Sequence, residues 1–281
     1  MKTLIRSAAG LLLGFGMLAG TTGCELQKCD VTTTNDAGVS TTKSGVCAKS
    51  LKKWVGTPRN KTAQWASGGS VTIDGFNGAI TVVKGSGTTV SVTFTPVDLR
   101  AYDTKDADVQ ADFAALATDA TADANGNVSI KSYQNGNAHT GLGAEIRVAL
   151  PDTFDGALSV TQHNGDTSLD FTGSASSLTV SSHNGEVSGS VGAVGALGGK
   201  VSTGNGSIGM HFDGTQTFNV AASALAGGQV DVGNAESAGC TVVAGSTAGA
   251  QTVSCGGATD ADPTYVLQAD GTGLADVTLS F

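Results

Sequence analysis

A strand, Asn-Gly, strand unit recurs at near-constant spacing, and this constrains the fold more than any other feature. Leu158-Ser-Val-Thr-Gln-His-Asn-Gly-Asp166 is echoed by Leu178-Thr-Val-Ser-Ser-His-Asn-Gly-Glu186, which sets His183 20 residues beyond His163. A third copy, Val201-Ser-Thr-Gly-Asn-Gly-Ser-Ile208, sets Asn205 21 residues beyond Asn184. Phe218-Asn-Val220 with Gln229-Val-Asp-Val232 reads as a fourth unit without its Asn-Gly, Cys240 to Val253 as a fifth, and Val71 to Val82 repeats the grammar upstream. Apolar residues alternate within each copy, the period of a strand with one buried face. Leu158 and Val160 precede the first Asn-Gly; Thr167, Leu169 and Phe171 follow it, matched by Val187, Gly189, Val191 and then by Ile208, Met210, Phe212. At the bends, Asn164-Gly165, Asn184-Gly185 and Asn205-Gly206 supply residues that tolerate positive φ.

Two all-β architectures satisfy this pattern. Asn-Gly between alternating strands is a hairpin signal, which allows an antiparallel β-sandwich. Constant spacing favours a single-stranded parallel β-helix, or β-solenoid, with coils of about 20 residues that stack the bends into a ladder. Val109, Phe113 and Leu116 lie at helical spacing and predict one short helical insertion. Thr264 to Gln268 and Val277 to Phe281, flanking Asp270-Gly271, predict a closing C-terminal hairpin.

The N-terminus reads as an export signal. Lys2 and Arg6 precede an apolar stretch from Ala8 to Gly20, and small residues Thr21, Thr22 and Gly23 lead to Cys24, the layout of a secretory leader. The stretch is short of the roughly 20 residues that span a bilayer. The residues before Cys24 resemble a lipobox, with Thr21 where a large aliphatic residue is usual. The resemblance implies cleavage after residue 23 and lipid on Cys24, hence a membrane-anchored lipoprotein of the cell envelope, periplasmic or cell-surface. The alternative is a secreted protein cut near Gly20 or Gly23.

Setting Cys24 aside leaves Cys29, Cys47, Cys240 and Cys255. In an exported chain these are most simply two disulfides, with connectivity open among three pairings. Cys29 with Cys47 and Cys240 with Cys255 are the local ones. No CxxC spacing or neighbouring His supports a metal site instead. The chain thus divides into a signal peptide (1–23), a basic disulfide-containing linker (24–69) and a repeat body (70–281).

Charge follows the same division. Residues 25–61 carry seven Lys or Arg against three acids, whereas residues 62–281 carry six against 21. An acidic body argues against nucleic acid, which requires a basic face. The basic stretch from Lys49 to Lys61, with Trp54 inside it, reads as a solvated linker or as a segment lying on anionic lipid.

Few residues suggest chemistry. His163 and His183 would stack on adjacent coils, but Gly204 takes the third place, so no metal site is expected. Asp166 and Glu186 would also stack, at a separation like that of the paired carboxylates in a retaining glycosidase; ordinary turn chemistry is the plainer account. Asp103, Asp106, Asp108 and Asp112 lack the pattern of a calcium loop. Gly204-Asn-Gly-Ser-Ile-Gly209 matches a dinucleotide fingerprint by letter, but lies within the repeat. No catalytic residue and no cofactor is expected.

Ala149-Leu150-Pro151-Asp152, Leu158-Ser-Val-Thr161 and the successive Asn-Gly-Asp, Asn-Gly-Glu and Thr203-Gly-Asn-Gly-Ser207 repeats together resemble the "putative adhesin" family of bacterial β-solenoid domains of unknown function. The likeness covers roughly Ser70 to Phe281. It implies a stacked-strand fold at the cell surface or in the periplasm and supplies no catalytic residues. The expected function is a non-enzymatic, lipid-anchored envelope protein, an adhesin-like binding or structural module whose partner is a polysaccharide or a protein. The alternative is a carbohydrate-active enzyme using the stacked carboxylates.

Overall fold

The computed structural model describes residues 26–34, 40–48, 51–101, 104–134, 140–171, 175–192, 198–212, 216–225, 227–243, 247–270 and 275–281. The export segment and Cys24 lie outside the described residues. In chain order, β1 (Leu26–Thr34) and β2 (Ser40–Ala48) form a two-stranded antiparallel sheet of their own. Next come β3 (Leu51–Val55), β4 (Arg59–Gln64), the Asn-Gly unit β5 (Val71–Asn77) and β6 (Ile80–Lys84), and β7 (Thr89–Ala101), with which β3 and β4 both pair antiparallel. Helix α1 (Asp106–Ala115) and β8 (Leu116–Ala122) lead to β9 (Val128–Gln134) and β10 (Leu142–Leu150).

Three repeats follow: β11 (Ala157–Asn164) with β12 (Thr167–Phe171), β13 (Ser177–Asn184) with β14 (Val187–Val191), and β15 (Gly199–Asn205) with β16 (Ile208–Phe212). The chain ends with β17 (Phe218–Ala224), β18 (Val230–Asp231), β19 (Cys240–Val242), β20 (Ala250–Cys255), β21 (Thr264–Ala269) and β22 (Val277–Ser280).

The protein is all-β, and its body consists of two mixed sheets, neither closed into a barrel. One sheet runs β8-β9-β5-β11-β13-β15-β21-β17-β20-β19; the other runs from β3 and β4 through β7-β10-β6-β12-β14-β16-β22 to β18. Each strand, bend, strand unit gives one strand to each sheet. Between β9 and β17, and between β10 and β18, neighbours are parallel. Antiparallel strands flank this array, β8 and β20-β19 in the first sheet and β7 with β3 and β4 in the second, while β18 is a parallel edge. Two sheets on one core fit the sandwich alternative, but the repeat strands pair parallel rather than antiparallel.

Alternation places like residues in columns. Ile130, Ile73, Val160, Val180, Val201 and Leu267 line up across the first sheet, and Ile146, Ile80, Thr167, Val187, Ile208 and Val277 across the second. All of these are buried in one shared core. Burying a Val, Leu or Ile side chain is worth roughly 1.5–3 kcal/mol, so the columns are the main source of cohesion. Phe171 and Val191, expected on the inward face, have side chains outside the described residues.

Helix α1 forms as expected and buries Val109 and Phe113; Leu116, also buried, begins β8. Arg100 reaches Asp98 on its own strand and Asp112 on α1, which ties the helix to β7.

Three expectations are corrected. Thr264–Gln268 and Val277–Phe281 do not form a hairpin: β21 pairs parallel with β15 and β17, and β22 with β16 and β18. This arrangement buries the inward residues of both strands between neighbours, whereas a hairpin would put them in one sheet. The last unit in sequence therefore lies between the third repeat and the unit β17/β18. Cys240 to Val253 is not a fifth unit either, since β19 and β20 are antiparallel neighbours in one sheet.

The basic stretch is the third correction. It forms strands rather than a solvated linker at Leu51–Val55 and Arg59–Gln64. Arg59 donates to the carbonyls of Phe113 and Leu116, which fall at the end of α1, where carbonyls lack helical partners. Lys61 donates to Thr118 O and lies 3.7 Å from Asp119, Lys53 pairs with Glu145, and Lys52 sits 3.6 Å above the Trp54 ring.

Candidate functional site

The bend edge, where the chain passes from one sheet to the other, gathers most of the residues singled out in the sequence. Register sets Asn77, Asn164, Asn184 and Asn205 side by side. Their side chains form a ladder: Asn205 Nδ2 donates to Asn184 Oδ1 at 2.8 Å, Asn184 Nδ2 to Asn164 Oδ1 at 2.7 Å, and Asn164 Nδ2 to Asn77 Oδ1 at 2.9 Å. Asn77 ends the row by donating to the carbonyls of Thr140 and Leu142.

The glycine that follows each Asn is required there. Gly78, Gly165, Gly185 and Gly206 have φ of 110°, 134°, 141° and 154°, and a Cβ on Gly185 would sit 2.2 Å from Gly165 O. Gly165 and Gly206 meet the same obstacle at 2.3 Å and 2.1 Å. The close approach lets Gly165 and Gly185 donate to the carbonyls of Asn184 and Asn205, each at 2.8 Å. Buried Gln162 and Thr203 donate from inside to the carbonyls of Gly78 and Gly185. Between them, the Ser182 hydroxyl is buried without a partner.

The acidic positions after the bend also act across units. Asp166 Oδ1 accepts the Glu186 N–H at 2.9 Å, and Asp276 Oδ1 accepts the Gln229 N–H at 2.9 Å. Asp166 and Glu186 are exposed, and the bond between them is side chain to backbone. The structure gives the Asp166 carboxylate turn-stitching work.

On the outer side of the ladder stands a row of rings, of which the sequence suggests only the stacked His163 and His183. Phe76 and His163 occupy equivalent positions, with ring centroids 5.7 Å apart. His183 continues the row, and Tyr133 precedes it by the offset that pairs Asp74 with Lys131. Phe76 is 38% exposed and Tyr133 50%; both histidines are exposed. The signal was available in the residue before each Asn-Gly, Phe in the first unit and His in the next two. Gly204 ends the row, as expected. Among the described residues no group of three or more His, Cys, Asp or Glu is placed to hold a metal ion.

Cys240 and Cys255 face each other directly in the β19–β20 register and form a buried disulfide, Cα–Cα 4.1 Å. The β1–β2 register puts Cys29 opposite Gly45 and Cys47 opposite Gln27; the side chains of both cysteines lie outside the described residues. Asp103 lies outside as well. Asp106 and Asp108 are exposed in the first turn of α1, and Asp112 is engaged by Arg100.

No protein-family model matches the chain, and no curated protein matches it. Among solved structures, the fold is similar to that of a "putative cell adhesion protein" from Clostridium sporogenes, with a TM-score of 0.52 and 9% identity over 80% of this chain and 99% of that one. A "putative adhesin" from Bacteroides fragilis matches at a TM-score of 0.26 and 10% identity, over 79% of this chain and 97% of that one. A "putative lipid binding protein" from Parabacteroides distasonis matches at 0.19 and 9%, over 79% and 97%. At these identities the first likeness speaks to fold alone. No helix of the described residues is long and apolar enough to cross a membrane.

Proposed function

We propose that this is a non-enzymatic binding module of the cell envelope, held to a membrane through lipid on Cys24, whose bend edge takes a linear, uncharged glycan. The body is read as a solenoid in which each strand, bend, strand unit is one coil and the antiparallel strands close its ends. The observation that carries the reading is the exposed row Tyr133, Phe76, His163, His183 beside the amide ladder. It repeats one arrangement of ring and amide at three successive strand steps, Phe76–Asn77, His163–Asn164 and His183–Asn184, about 4.8 Å apart. A polymer running along the stack meets equivalent groups at each step, and weak contacts then add along its length. Rings cover the apolar faces of sugars, and amides and hydroxyls meet their hydroxyl groups. Asp166 and Glu186 on the same edge disfavour an anionic polymer.

Affinity electrophoresis through gels containing neutral polysaccharides tests this reading. Retardation by at least one polysaccharide is expected, and Phe76→Ala with Tyr133→Ala should weaken it about tenfold. Equal retardation of that double variant, or none by any neutral polymer, refutes the site. Polymer length should be unchanged after incubation; shortening abolished by Asp166→Asn would instead make the protein an enzyme. For the anchor, Cys24→Ser should move the protein from the membrane to the soluble fraction of its native host.

A further inference from the structure

We propose that the C-terminal unit, Thr264–Phe281, is exchangeable between two copies of this chain, each copy inserting it into the slot between β15/β16 and β17/β18 of the other. The proposal rests on strand order and not on the glycan reading. β21 lies between β15 and β17, and β22 between β16 and β18, yet both come last in the chain. Without them, four strand edges face an empty slot.

The segment on the far side of the slot is a unit in itself. β17 pairs with β20, β20 pairs with β19, and the Cys240–Cys255 disulfide closes that pair. Its strand pairing to the rest of the body runs through the inserted unit, since β17 meets β21 and β18 meets β22. Among the described residues, one direct contact across the slot is the Phe212–Phe218 ring pair, at 5.6 Å.

The inserted unit is seated by side chains that recognise both walls. The Tyr265 ring packs 4.8 Å from Phe212 and 5.6 Å from Phe218, in space left by Gly199, whose Cβ would meet Tyr265 Cδ1 at 2.9 Å. Asp270 N–H donates to Thr203 O on one wall, and Asp276 Oδ1 accepts from Gln229 on the other. Asn234 exchanges two hydrogen bonds with the Phe281 backbone.

Every one of these contacts is the same whether the unit comes from its own chain or from a second copy. The balance between the two forms is therefore set by concentration and by the connection at 256–263, which opens with Gly256-Gly257 and turns at Thr259 and Asp262. Such exchange is a low-cost route to association. Reciprocal exchange closes a dimer; one-way donation leaves an open slot at one end and an unused unit at the other, which propagates a filament. Insertion also depends on contacts distant in sequence, which form slowly and leave the slot open to capture.

Full-length chains carrying Lys200→Cys or Val266→Cys test the proposal, because these exposed residues are in register across β15 and β21. The two single variants are unfolded together, refolded at increasing concentration and oxidised. A disulfide-linked dimer whose digest contains the 200–266 peptide pair is expected, rising with concentration. The double variant in one chain, refolded dilute, should close the same link as a monomer. A closed monomer from the double variant with no 200–266 dimer from the mixture at any concentration overturns the proposal. Size-exclusion of the unmodified protein refolded over the same range gives an independent readout: a dimer with the monomer's circular dichroism is expected, and a monomer throughout overturns it.

Discussion

The middle of the body and its C-terminal third are built from the same two-strand units, paired parallel and in register, yet they are held by different means. From β11 to β16 sequence neighbours are space neighbours, each bend is Asn-Gly, and amide, glycine carbonyl and carboxylate rows run along one edge. From β17 onward the order is permuted and the bends lack Asn-Gly. There the load falls on Phe212, Phe218, Tyr265 and Phe281 and on one disulfide. Parallel stacking therefore does not depend on the ladder. The ladder fixes phase where the inward columns are uniform enough to slip; the aromatic cluster fixes it where each residue fits one place.

Substitutions can break this contrast, and the largest effect is expected at the bends. Gly185→Ala forces a Cβ against Gly165 O, and a loss on the order of 4 kcal/mol is expected in urea unfolding. Cys240→Ser with Cys255→Ser should cost about 3 kcal/mol from the short loop it opens. Hydrogen exchange should show that loss concentrated in β17–β22, with the Asn-Gly repeats still protected. Asn184→Ala removes two ladder bonds and should cost about 2 kcal/mol at roughly 1 kcal/mol each, with protection lost first in β13 and β14 rather than in β21.

The buried Thr167 hydroxyl has no partner in a column otherwise filled by Ile and Val. Thr167→Val should therefore raise stability by about 1 kcal/mol, read as a higher thermal midpoint. The smallest effect concerns pH. The Gly68 N–H and the Ser67 hydroxyl hold the Asp155 carboxyl below its usual range, and the Thr259 N–H and hydroxyl do the same for Asp262 in the C-terminal connection. A carboxylate with a lowered folded-state pKa stabilises above its ordinary value near 3.9 and loses that contribution as pH falls through the lower one. Asp155→Asn should flatten the acid limb of the stability profile in the middle of the body, and Asp262→Asn that of the C-terminal connection.

The units themselves were legible because Asn-Gly and alternation are local signals. The Cys240–Cys255 pair was only one of the pairings left open, because the facing positions that join it belong to the β19–β20 antiparallel pair, which reads in the sequence as a further repeat unit. The partners of β21 and β22 were not legible, because Asp270-Gly271 is written the same way whether the chain folds back into one sheet or passes to the other. The ring row was half legible: His163 and His183 stood out by identity, while Phe76 and Tyr133 share their place but not their letter. Arg59 and Lys61 misled because their charge suggested solvent or lipid, and their true partners are carbonyls more than fifty residues away.

The bend row also bears on how a chain like this lengthens over generations. Because each rung of amides meets only the rungs beside it, a duplicated segment that carries one complete rung adds to the stack without disturbing the others. A slip of one residue within a strand would turn its side chains inside out, so a difference in unit length has to fall between strands, as the extra residue of the third unit does between β14 and β15. Inheritance can thus edit this protein in whole rungs, and the 20- and 21-residue intervals between its asparagines show that rungs of unequal chain length share one stack.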